Sequence, residues 1–126
     1  MKSYTDLEQS KKLAEFLPLE SVDMWYHGHY SLWESERKCE NEPCPFHSIS
    51  PNWDKPCWSL SALLGLMPKR YNGDNVYMPL VGRYYEGNHK FICGYFGDGL
   101  LDCTFGETSV DACVEMILKL HELNLL

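Results

Sequence analysis

Pro56-Cys57-Trp58-Ser59-Leu60-Ser61-Ala62-Leu63-Leu64-Gly65-Leu66-Met67-Pro68 is the stretch whose reading decides the fold. Leu60, Leu63, Leu64 and Met67 recur at the spacing of one buried helical stripe. Ser59 can cap that helix, and Pro68 stops it because a proline cannot continue the hydrogen-bond ladder. Pro56, Cys57 and Trp58 lead into the first turn. A thiol at that position feels unpaired backbone N–H groups and the positive end of the helix dipole. A short apolar helix of this kind has to be covered, so the sequence places it at the centre of the core.

Upstream, Thr5 and Glu8 have the spacing of a capping box that starts a helix. Leu13, Phe16 and Leu17 give that helix its apolar edge, and Pro18 ends it. Met24-Trp25-Tyr26 reads as the start of a strand, with a second aromatic piece at Tyr30 to Trp33. From Glu34 to about Pro56 there is no periodicity, and Pro43, Pro45 and Pro51 break any regular element. Surface loops of about twenty residues are uncommon unless they are functional or tied down.

Downstream, three strand patterns follow in a row. Val76 to Tyr85 alternates, and Pro79 pushes it to a sheet edge because it has no N–H for the ladder. Glu86-Gly87-Asn88 turns the chain into His89 to Phe96. Gly97-Asp98-Gly99 turns it again into Leu100 to Phe105. Thr108 or Ser109 caps a last helix with the stripe Cys113, Met116, Ile117 and Leu120, continued by Leu123. Glu115 and Lys119 brace its wet face, and Asn124 closes it. The expected order is α-β-α-β-β-β-α, an α+β fold of two layers. Three helices lie against a small antiparallel sheet made of the three-strand meander and one amino-terminal strand. Residues 1–126 read as a single domain.

The net charge of -7 argues against a nucleic-acid binder, whose affinity rests on Lys and Arg neutralising phosphates. No stretch has the length of a membrane span, and the amino terminus has no apolar core of signal-peptide length. The expected compartment is therefore the cytoplasm. Six cysteines in such a chain are more often free, buried, metal-bound or catalytic than paired. Cys93, Cys103 and Cys113 sit in apolar runs and read as packed thiols.

Glu8 to Ala14, Pro56 to Leu64 with Pro68, and Val110 to Ile117 running on to Leu123 resemble a family. Its members are small uncharacterised proteins of prophage-like and other mobile elements of gut bacteria. The resemblance covers both ends and the middle helix, and it implies a shared fold without carrying a catalytic residue. Separately, Cys57 followed by Trp58 ahead of a helix resembles the nucleophile of the transglutaminase and papain-like superfamily. That resemblance implies a histidine on a later strand and an acid on the next, at His89 and Asp102. A dipole-activated thiol, a histidine base and an orienting carboxylate make coherent hydrolase or transferase chemistry. Strand alternation opposes it. With Leu101, Cys103 and Phe105 turned to the core, Asp102 faces away from the side that His89 shares with Phe91, Cys93 and Tyr95.

Two further chemistries are open. Cys39, Cys44, His47 and Cys57 are four borderline-to-soft ligands, mostly from the long excursion, and could hold a structural zinc ion. The expected cofactor is none, with zinc as the alternative. Trp33, Phe46 and Trp53, beside Glu34, Glu36, Glu40 and Glu42, could form an acid-rimmed aromatic patch for a protein partner. Homodimerisation through the edge carrying Pro79 is another option. Taken together, the residues favour a non-catalytic cytoplasmic accessory protein of a mobile element that binds a protein partner.

Overall fold

The computed structural model describes residues 3–26, 43, 54–69, 78–84, 87, 90–97 and 99–126. The elements are α1 (Leu7–Ala14), β1 (Met24–Tyr26), β2 (Lys55–Cys57), α2 (Leu60–Leu66), β3 (Met78–Arg83), β4 (Phe91–Gly97), β5 (Gly99–Gly106) and α3 (Ser109–Glu122). The fold is α+β with antiparallel sheets, in the expected order, with β2 added. The chain divides into two compact units, Tyr4–Ser59 and Met1–Ser3 with Leu60–Leu126.

In the first unit α1 starts one residue later than the Thr5–Glu8 reading. Asp6 is the N-cap and accepts the N–H of Gln9 at 2.8 Å, while Gln9 accepts the Asp6 N–H at 3.1 Å. Thr5 is wholly buried and committed elsewhere, so the neighbouring register takes the cap. The helix is finished by Ala14, before Pro18, and a single 3-10 turn follows at Leu19–Ser21. Leu13 and Leu17 are buried as its apolar edge.

β1 has its own partner rather than joining the meander. Met24, Trp25 and Tyr26 pair with Cys57, Pro56 and Lys55 of β2. The end of the predicted excursion is thus a strand, and Cys57 lies within it, two residues short of the helix. Trp58 is 1% exposed and its indole N–H donates to Ser21 Oγ at 2.9 Å. Ser59 donates both its N–H and its hydroxyl to the Asp23 carboxylate.

In the second unit β3, β4 and β5 form a meander with β4 in the centre. Gly87, in the turn between β3 and β4, has φ +74°, which a glycine adopts without strain. Tyr84 donates its N–H to Lys90 O at 2.9 Å, which fixes the alternation of the ladder. Even-numbered residues of β3 bond to β4, and the N–H positions of 79, 81 and 83 point outward. Pro79 therefore sits where its missing donor breaks no bond, on the expected edge strand.

α3 packs across all three strands and against α2. Thr108 is its N-cap, accepting Asp111 N–H at 3.1 Å. Val110, Cys113, Met116, Ile117 and Leu120 are fully buried, each worth roughly 1.5–3 kcal/mol for the larger aliphatic side chains. Leu123 is 48% exposed and does not extend the stripe. The helix turns off there in a Schellman motif. Leu125 N–H bonds Leu120 O, Asn124 N–H bonds His121 O, and Asn124 takes φ 58°. Leu63 and Met67 are the buried side of α2, with Leu60 and Leu64 half-buried.

Candidate functional site

Cys57 is wholly buried. Thr5 supplies two of its polar contacts, and the Tyr26 phenol is another: the Thr5 hydroxyl lies 3.5 Å from the sulfur, and the Thr5 carbonyl accepts the S–H at 3.4 Å. The same carbonyl accepts Tyr26 OH at 2.7 Å. The Thr5 hydroxyl also meets Ser10 Oγ at 2.8 Å and accepts Trp58 N–H at 3.1 Å. This polar knot ties α1, β1 and β2 together. Burial, more than any neighbour, pushes the Cys57 thiol up. Burial and then the adjacent Cys57 push the Tyr26 phenol up as well. Both groups are therefore held neutral. A strand position inside a core lacks the helix-dipole activation that the position ahead of α2 implied.

Asp102 lies opposite Tyr95 on β5, and Thr104 lies opposite Cys93. Paired residues share a face, so Asp102 and Thr104 stand on the α3 side of the sheet. Lys119 Nζ is 2.5 Å from Asp102 Oδ1, and Thr104 Oγ1 donates to Ala112 O at 2.7 Å. This corrects the alternation read from the sequence. Asp102 faces the helix, Cys103 and Phe105 face away from it, and Lys119 turns to Asp102 rather than bracing Glu115. The reason lies in α3, which offers a cation and the second lone pair of a helical carbonyl to satisfy two polar residues on its side. A register shift next to Tyr95 marks the bulge where β5 changes pairing, from Asp102 to Leu100.

The far face of the meander is the other notable surface. Leu80, Tyr84, Ile92, Phe96, Cys103 and Phe105 stand on it, half-buried or exposed. Leu80 is 46% exposed, and the rings of Tyr84 and Phe105 are 4.9 Å apart. In the first unit, a groove of about 570 Å³ runs between α1 and β2, lined by Leu7, Lys11, Ala14, Lys55 and Pro56 among others.

His89, Cys39, Cys44, His47, Trp33, Phe46 and Trp53 lie outside the described residues, as does the piece from Tyr30 to Trp33. Among the described residues no cluster of three or more His, Cys, Asp or Glu side chains could hold a metal ion. Also among them, no helix is long and apolar enough to cross a membrane. The apolar sheet face was not foreseen, because its residues read as core. No protein-family model matches the chain, and neither a curated protein nor a solved structure is detectably similar to it.

Proposed function

We propose that this chain is a non-catalytic accessory protein that acts by binding another protein. Its resemblance to small proteins of mobile elements of gut bacteria suggests that setting, and the cytoplasm as its compartment. The observation that carries the reading is the face of the meander turned away from α3. Leu80, Ile92, Phe96 and Phe105 form an apolar row there, and among the described residues of their unit no helix covers it. Contiguous apolar surface of this kind favours a protein contact. The buried, neutral Cys57 thiol supports the non-catalytic half of the reading.

The test is affinity purification from the native host, wild type against Leu80→Asp. The charge goes onto an exposed edge-strand position, so the fold, checked by circular dichroism, stays intact. A protein retained in stoichiometric amount by the wild type and lost with the variant is the expected result. Equal retention, or none in either case, refutes the reading.

A further inference from the structure

Three sulfur atoms from separate parts of the Leu60–Leu126 unit meet in its core. Cys113 of α3 donates to Cys93 of β4 with the sulfurs 3.4 Å apart. The Cys93 sulfur also lies 3.8 Å from that of Met67, just beyond the end of α2. Both thiols are wholly buried, and both are free. Cys103 is the third cysteine of this unit, but it pairs with Gly94 and stands on the opposite face of the sheet. It is out of line for either thiol.

We propose that Cys93 and Cys113 are a redox-sensitive clasp, closing as a reversible disulfide when the protein meets a hydroperoxide. From their 3.4 Å contact the sulfurs have to approach by about 1.4 Å to reach bonding distance. Side-chain rotation supplies a movement of that size more readily than a shift of strand or helix. In the first step one thiol, ionised during a transient opening of the core, attacks a peroxide oxygen. The O–O bond breaks, an S–O bond forms, and the leaving hydroxide takes up the released proton as water. The product is a sulfenic acid. In the second step the other sulfur attacks the sulfenic sulfur. The S–O bond breaks, the S–S bond forms, and the hydroxyl leaves as water with the second thiol's proton. Two thiols lose two electrons, and one hydrogen peroxide becomes two waters. A small-molecule dithiol reverses the change by exchange.

The resting pair is set up to wait. Its hydrogen bond to Cys113, and then burial, push the Cys93 thiol up, so that thiol stays protonated until the core opens. Closing the bond fastens the central strand to the second turn of the helix that packs on it. Those two anchor points are separated in sequence by the rest of β4, β5 and the first turn of α3, so a short loop is closed.

The experiment uses the full chain, reduced, desalted and exposed to hydrogen peroxide under native conditions. Free thiols are then alkylated, and the chain is cut at Asp102 and Glu107, which separate the three cysteines. Expected are a chain that carries two fewer alkyl groups than the untreated control and a Cys93–Cys113 cross-linked peptide. Dithiothreitol should erase both, and the thermal midpoint should rise by roughly 5–10 °C. Cys103→Ser keeps the cross-link, and Cys113→Ala abolishes it. Should Cys113→Ala fail to fold, the Cys103→Ser map decides alone. The proposal is overturned if Cys93 and Cys113 stay alkylatable at a dose that oxidises Cys103. It is equally overturned if the cross-link forms only in urea.

Discussion

Thr5 shows how one residue can hold a small unit together. Its hydroxyl meets Ser10, Cys57 and Trp58 N–H, and its carbonyl takes Tyr26 OH and the Cys57 S–H. Thr5→Val keeps the shape and removes the hydroxyl, leaving a buried backbone N–H without its acceptor. The expected cost is about 1–3 kcal/mol of stability, read from urea unfolding, with Thr5→Ser recovering most of it. A loss within error for Thr5→Val counts against the knot. The sequence pointed to Thr5 as a cap because its spacing to Glu8 is right. The overlapping pair Asp6 and Gln9 is one residue on and equally well spaced, and only tertiary burial of Thr5 decides between them. For Cys57, too, sequence gave the neighbourhood and not the environment. The residue sits close to a helix start, but its backbone is taken by β1.

At the scale of elements, α3 was legible almost end to end. Its cap, its stripe and its closing Asn124 are all local signals, and a helix of 14 residues repeats them often enough to be plain. β2 was not, because Lys-Pro-Cys is three residues without alternation, and its strand character comes from its partner β1. The facing of β5 was misread because Leu101, Cys103 and Phe105 make the more apolar set. The helix side instead holds Asp102 and Thr104, each matched to a group on α3. Gly106 continues that side. A Cβ there would lie 2.5 Å from Ala112 N and 2.8 Å from Asp111, where backbone has to yield. Gly106→Ala should therefore cost about 1–3 kcal/mol by forcing the first turn of α3 off the sheet. Thermal unfolding compared with Gly82→Ala, a position with open space, measures it. Equal midpoints for the two variants would contradict the close approach.

For the whole molecule the buried acids set a pH dependence. Cys57 and Tyr26 in one unit and Cys93 in the other all hold their protons more tightly when folded. The unfolded chain releases thiol protons around the ordinary value of 9.0. Above that pH it binds fewer protons than the native state, so stability falls as pH rises. Below it the contribution is fully present. Thermal midpoints should thus hold near neutrality and decline from about pH 9 upward, and a flat alkaline limb speaks against buried neutral thiols.

Tyr4 and Ser59, the first and last residues of one unit, form an antiparallel bridge with each other. The polypeptide therefore leaves and re-enters the Leu60–Leu126 portion at neighbouring points, like a parenthesis in a sentence. The same adjacency makes this portion suited to circular permutation, with a short peptide joining 59 to 4 and new ends opened elsewhere.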